Sequence, residues 1–213
     1  APVQVAVPAS VSQYIIRWSE LKLGPKLGSG AFGDVKRASW RDTPVAIKLL
    51  HSMDATTEFF QEAGLLCSLR HPNIVSCLGV CAEEPNLAIV MELMSGNLTQ
   101  LIQAGPIPLK VYLPLAIGIA RGIAFLHQRS PKVIHRDLKP ENILLDAHGV
   151  PKLGDFGVSK ESLITMTQTK IGTPSFAAPE LLNSEPYGTS ADIYSMAMVL
   201  YCMATGVSPF GNL

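Results

Sequence analysis

The run His135-Arg136-Asp137-Leu138-Lys139-Pro140-Glu141-Asn142 constrains this chain most, together with Asp155-Phe156-Gly157, which starts thirteen residues after its asparagine. The first run offers a carboxylate able to take a proton and a carboxamide able to hold a metal, both on one loop. The second offers another carboxylate. Asn and Asp side chains are oxygen donors, and hard cations such as Mg²⁺ take oxygen ligands.

A glycine-rich stretch lies upstream: Gly28-Ser29-Gly30-Ala31-Phe32-Gly33-Asp34-Val35. Glycine lets a backbone approach phosphate without a Cβ clash and presents N–H groups to anionic oxygens. A dinucleotide-binding loop is the rival reading. It would open a helix after a single strand and place an acidic ribose ligand about twenty residues on. Here a second strand pattern follows, and the acidic position is taken by Lys48, in Val45-Ala46-Ile47-Lys48. A glycine loop, a strand lysine, a loop carrying a base and an Asn, and a second Asp, in that order, are parts for moving the γ-phosphoryl of ATP to a hydroxyl.

Those motifs and their spacing resemble the eukaryotic-type protein kinases, from about Leu23 to Phe210. The resemblance implies an α+β, bilobal fold. A five-stranded β lobe with one helix is expected over 14–91, a hinge over 92–96 and a mainly helical, incomplete lobe over 97–213. Residues 1–13 mix Val, Ala, Pro, Ser and Gln without period and are expected to be a disordered lead-in.

The resemblance also implies roles. ATP is expected against Gly28, Ser29, Gly30, Ala31, Phe32, Gly33, Val35, Ala46, Lys48, Met91, Glu92, Met94 and Leu144. Met91 takes the gatekeeper position, and the backbone of Glu92 and Met94 faces the adenine edge. Lys48, paired with Glu62, holds the α/β-phosphates. Asp137 is the expected base, and Lys139 steadies the transferring group. Asn142 and Asp155 hold Mg²⁺. His135 and Phe156 pack rather than react. The segment Glu92-Leu93-Met94-Ser95-Gly96-Asn97-Leu98 is one residue shorter than the usual hinge with two glycines, so no ribose contact is assigned.

Lys139-Pro140-Glu141 is the serine/threonine form of the catalytic loop, and Gly172-Thr173-Pro174 agrees with it. Trp40, Leu69-Arg70-His71-Pro72-Asn73-Ile74-Val75 and Leu78-Gly79-Val80-Cys81 resemble the tyrosine-kinase-like branch, whose members mostly phosphorylate Ser or Thr. The expected partner is therefore a protein substrate carrying Ser or Thr. Arg136 beside the base goes, in this family, with control by phosphorylation. An upstream kinase would act on Ser162, Thr165, Thr167 or Thr169. A kinase-like scaffold without catalysis is the alternative function. The Ala178-Pro179-Glu180 segment, a peptide-substrate device, disfavours a small-molecule phosphotransferase.

Composition adds exclusions. Lys plus Arg and Asp plus Glu both total 17, so net charge gives no reason to expect a nucleic-acid or membrane partner. Cys67, Cys77, Cys81 and Cys202 form no CxxC pair and read as reduced, buried thiols. The run from Ile193 to Thr205 is too short to span a bilayer. A cytoplasmic location is the expectation.

The periodicity predicts strands at Leu21–Gly28, Gly33–Trp40, Pro44–Leu50, Ile74–Cys81 and Asn86–Glu92. It predicts a helix from Thr56 or Thr57 to Leu69, with Phe59, Ala63, Leu66 and Leu69 on one face. Asn97 is expected to cap a short helix. Val111–Gln128 reads as a long helix with a Leu115, Ile119, Ile123 and Leu126 stripe. Short strands are expected near Val133, Ile143–Leu145 and Pro151–Leu153. Tyr194–Ala204 is apolar nearly all round, which predicts burial on all sides. Family domains continue through further helices beyond this point. The resemblance therefore implies that Glu180 has its arginine partner, and that helix its remaining cover, past Leu213.

Overall fold

A computed structural model describes residues 7–29, 33–50, 56–156, 160–162 and 174–210. The chain divides into two compact units. The first comprises Ala1–Arg70 and Val75–Met94, the second His71–Ile74 and Ser95–Leu213.

The first unit is built on an antiparallel sheet of β1 (Leu21–Ser29), β2 (Gly33–Trp40), β3 (Thr43–Leu50), β4 (Cys77–Glu83) and β5 (Asn86–Glu92), in the order β1-β2-β3-β5-β4. Pro25 has no N–H to give a ladder, and it sits where β1, an edge strand, slips register against β2. One sheet face carries Ala38, Val45, Ile47, Ala88 and Val90, packed with Ile16 and Leu21 into an apolar core. Helix α1 (Thr56–Ser68) buries Phe59, Phe60, Glu62, Ala63, Leu66 and Cys67. Three of these lie on the stripe expected from the sequence.

Of residues 1–13, expected to be a disordered lead-in, 1–6 lie outside the described residues and 8–13 are folded. Val11 is fully buried and Ser12–Tyr14 form a 3-10 turn. The Ile16 N–H then donates to the Val80 carbonyl at 3.0 Å, so this segment docks on the open edge of β4. Two β-branched residues, Val11 and Ile16, give it enough apolar surface to stay down.

In the second unit, β6 (Gly96–Asn97), β8 (Ile143–Leu145) and β9 (Pro151–Leu153) form a small sheet. Strands β7 (Lys132–Ile134) and β10 (Lys160–Ser162) pair separately. Asn97 caps α2 (Leu98–Ile102), its side chain accepting the Gln100 N–H while the Gln100 side chain returns to the Asn97 N–H. Helix α3 (Leu109–His127) is long and apolar enough to cross a membrane by length and composition. Here its stripe of Leu115, Ile119, Ile123 and Leu126 is buried, and it packs on β7, β9 and α5 (Ser190–Thr205).

The sequence pattern started the fourth strand at Ile74, yet β4 begins at Cys77. Residues His71–Ile74 belong instead to the second unit, where Asn73 Nδ2 donates to the Pro151 carbonyl at 2.9 Å. A Cβ on Gly122 of α3 would stand 2.8 Å from the Asn73 carbonyl, so glycine there permits the close approach. Periodicity cannot show a chain changing partners within one apolar run.

Burial of the last helix within this chain is one-sided. Helix α5 buries Asp192, Ser195, Val199, Cys202 and Met203, while Ile193 is 54% and Tyr201 47% exposed. Within this chain it has one covered face, and all-round apolarity did not translate into all-round burial. Glu180, in α4 (Pro179–Leu182), is half-buried and forms no ion pair among the described residues.

Candidate functional site

Lys48 and Glu62 come together in the first unit. Nζ of Lys48 on β3 lies 2.7 Å from Oε1 of Glu62 on α1, and the side chains are 10% and 9% exposed. Residues paired across an antiparallel ladder point to the same face, as do residues two apart along a strand. Gly28 pairs with Val35, Val35 with Lys48, and Ala46 with Met91. Gly28, Val35, Ala46, Lys48 and Met91 therefore share the face opposite the apolar core. That is five of the residues expected against a nucleotide.

The rest of that set is less uniform. Gly30, Ala31 and Phe32 lie outside the described residues. The Ser29 hydroxyl donates to Asp34 Oδ1 at 3.0 Å across the hairpin. Gly33 has a structural reason of its own, because a Cβ there would run into the Leu49 carbonyl on β3. Glu92 braces the chain ahead of β4: its Oε1 accepts the Ser76 N–H at 2.7 Å, and its N–H donates to the Ser76 carbonyl at 3.1 Å. Met94 is the last residue of this unit.

The second unit gathers Asp137, Lys139 and Asn142. Lys139 Nζ lies 2.9 Å from Asp137 Oδ2. Asn142 closes a short 3-10 turn, and its Nδ2 donates to Asp137 Oδ2 at 2.9 Å and to the Asp137 carbonyl at 2.8 Å. Those two bonds fix the amide so that its Oδ1 faces away from Asp137. The Asn142 carbonyl accepts the Gly154 N–H at 2.9 Å, which ties the turn to the segment before Asp155. Asp155 takes a left-handed φ of 56° and is exposed, while Phe156 next to it is buried. Its ring centroid stands 5.0 Å from that of His135. His135 is fully buried with Nε2 3.0 Å from the Gly154 carbonyl, which makes it a packing residue as expected. Leu144 sits on β8, paired with Asn97 and Lys152.

Asn142 and Asp155 suit a magnesium ion chemically. One supplies a carboxamide oxygen whose orientation is set by bonds to Asp137, the other an exposed carboxylate. Mg²⁺ is usually held by one or two protein oxygens together with substrate phosphates and water.

Sequence reading missed the group that holds this loop. Asp192 of α5 is fully buried. Its Oδ2 accepts the His135 N–H at 2.9 Å and lies 2.7 Å from His127 Nε2, and its Oδ1 accepts the Arg136 N–H at 2.9 Å. Arg136 stands at φ 68°, a left-handed conformation that is costly for a long side chain and persists only when its surroundings impose it. Two charge-assisted bonds from one carboxylate supply that imposition. The available signal was an acidic residue opening an otherwise apolar helix. The Arg136 side chain is buried too: Nη1 donates to the Tyr187 hydroxyl at 2.7 Å. Its Nε and Nη2 have no hydrogen-bond partner among the described residues.

The protein kinase domain model matches residues 21–213. The chain belongs to the protein kinase family. Similar kinases include serine/threonine-protein kinase CTR1 of Arabidopsis thaliana, 38% identical over 93% of this chain and 26% of that protein. Probable serine/threonine-protein kinase drkD of Dictyostelium discoideum is 39% identical over 91% of this chain and 16% of its own length. Seven transmembrane domain-containing tyrosine-protein kinase 1 of the same organism is 40% identical over 95% of this chain and 31% of its length. The kinase chain described here spans less than a third of each of these relatives.

Proposed function

We propose that this chain is the catalytic domain of a serine/threonine protein kinase of the tyrosine-kinase-like branch, using Mg·ATP. The observation that carries the reading is the Asp137 carboxylate, held at one oxygen by both Lys139 and Asn142. A carboxylate fixed in this way can orient a substrate hydroxyl and take its proton as the phosphoryl group leaves ATP. Lys139, already beside it, meets the negative charge of the group in transit. Lys48, held by Glu62, offers a fixed ammonium to the α/β-phosphates. Mg²⁺ on Asn142 and Asp155 would neutralise phosphate charge. Positioning and electrostatics then carry most of the rate.

Lys139-Pro140-Glu141 and the names of most of the relatives support Ser and Thr as acceptors in a protein substrate. The unfilled Nε and Nη2 of Arg136 support regulation by a phosphate on the segment 162–169, placed by an upstream kinase. Thr165, Thr167, Thr169 and Thr173 lie outside the described residues, and Ser162 ends β10. A cytoplasmic location without a nucleic-acid or membrane partner is part of the same proposal; equal totals of basic and acidic residues give no reason to add such a partner.

The test is incubation of the full-length protein with Mg·ATP and a generic protein substrate, with Asp137→Asn as control. Phosphoserine or phosphothreonine that disappears in the variant is the expected result. Phosphotyrosine as the main product overturns the acceptor assignment. Wild-type turnover in Asp137→Asn overturns the base. Nucleotide binding with no turnover in either protein would favour the scaffold reading.

A further inference from the structure

Two thiols that no part of the phosphoryl-transfer reading uses face each other in the first unit. Sγ of Cys67, on the last turn of α1, lies 3.0 Å from Sγ of Cys77, the first residue of β4. Both are reduced, at 3% and 8% exposure. We infer that Cys67 and Cys77 form a modification site for peroxide, closing to a reversible disulfide that ties α1 to β4.

The geometry is close to that product. A disulfide brings the sulfurs to about 2.05 Å, so closure needs a movement of roughly 1 Å. Cys67 lies one residue from the end of α1, and β4 slips register between Cys77 and Gly79, so neither sulfur sits in the middle of a regular element. The two thiols are also unequal. The hydrogen bond shared by the two sulfurs lowers the Cys67 pKa, Arg70 places a positive charge near both thiols, and burial opposes these effects. Cys77 is pushed the other way by the same contact and by burial. The thiolate is the form that attacks, and the steps are written with Cys67 as the attacking sulfur and Cys77 as the resolving one. Cys81, further along β4, is fully buried and its thiol is pushed up to about 11, mainly by burial.

The chemistry balances with hydrogen peroxide as oxidant. The Cys67 thiolate attacks one peroxide oxygen, the O–O bond breaks, and hydroxide leaves and is protonated to water. Cys67 is then a sulfenic acid. The Cys77 sulfur attacks the Cys67 sulfur, the S–O bond breaks, and the departing hydroxide takes the Cys77 proton as a second water. Two thiols are oxidised to one disulfide while one peroxide is reduced to two waters. A small thiol reverses the step by exchange. Access needs only a brief opening of the last turn of α1, the kind of local event that precedes global unfolding. Glu62 is five residues before Cys67 on that helix and bonds Lys48, so the tie reaches the ion pair. The disulfide stands apart from the kinase reading, and only a consequence for turnover would rest on it.

The test treats the full-length protein with hydrogen peroxide, blocks free thiols, and digests it with trypsin without reduction. Trypsin releases 49–70, which holds Cys67, and 71–110, which holds Cys77 and Cys81. The expected result is these two peptides joined, lighter than their sum by two hydrogen atoms, and separated by dithiothreitol. Cys77→Ser should abolish the joined species and Cys81→Ser should leave it. Hydrogen exchange of the α1 amides should slow on oxidation and recover on reduction. Separate peptides, with both thiols unoxidised or with Cys67 carried to the sulfinic acid, overturn the inference. So does a linkage that survives Cys77→Ser, or α1 exchange that quickens on oxidation.

Discussion

Asp192 and Arg136, 56 residues apart in sequence, are joined by a 2.9 Å hydrogen bond from the Arg136 backbone N–H to a fully buried carboxylate. The bond matters because Arg136 sits at φ 68° immediately before the proposed base. The carboxylate of α5 holds the loop in a shape its own sequence disfavours.

Asp192→Asn should therefore act on turnover through loop geometry. The replacement keeps the volume but turns an N–H₂ group toward donors. Kinase turnover should fall roughly a hundredfold, because misplacing a reacting group by about 1 Å has effects of that order. Nucleotide affinity should change little, since the hydrogen bonds of Asp192 among the described residues go to His127, His135 and Arg136. Asp192→Ala should also lower stability by about 3 kcal/mol, measured by denaturant unfolding. Unchanged turnover in the Asn variant would show that the loop holds itself.

Lys48 and Glu62 separate a stability effect from an activity effect. Lys48→Met removes one side of a buried ion pair and should destabilise by about 3 kcal/mol. Lys48→Met combined with Glu62→Leu should regain most of that stability, since apolar replacements of a buried pair are often neutral. Phosphotransfer should stay lost in both. Recovery of activity in the double variant would remove Lys48 from the phosphate site.

Asp155 offers a metal test. Asp155→Asn keeps an oxygen donor but removes its charge, so the Mg²⁺ concentration needed for half-maximal nucleotide binding should rise roughly tenfold or more. Binding titrated against Mg²⁺ at fixed ATP reads this directly. An unchanged midpoint would sink the assignment.

His71 gives the second unit a pH dependence. Burial is the main cause holding its pKa below the ordinary 6.5, and Arg121 adds to it. The ring stacks on Phe125 at 4.9 Å, and Nδ1 accepts the Asn73 N–H at 3.1 Å, which requires that nitrogen unprotonated. Below pH 6.5 the unfolded chain binds a proton that the folded one resists. This contribution is complete above 6.5 and is lost as pH falls through the lowered folded value. Melting temperature should drop between pH 7.5 and 5.5, and His71→Gln should flatten that drop. An equally steep profile in the variant would assign it to other groups.

The residue pattern alone determined the family and most of the elements. Strands β2, β5, β8 and β9 stand where alternation and turn residues put them, because half-buried strands show their period in sequence. The site motifs stood out because the proposed phosphate, magnesium and proton-acceptor roles each demand particular side chains. What sequence hid were relations across distance. Gly33 looked like a phosphate glycine, yet the Leu49 carbonyl also requires it. The run from Ile74 looked like one strand, yet His71–Ile74 folds against α3 and β9 in the other unit. Residues 8–14 had no period, yet docking on β4 and α1 orders them. Tyr194–Ala204 read as a helix apolar nearly all round, while the carboxylate that holds the loop, Asp192, stands just ahead of that run on α5. Periodicity reports which way a side chain points within its own element. Only the folded chain decides what stands opposite it, and that opposing group sets whether a glycine, a charge or a strained backbone is needed.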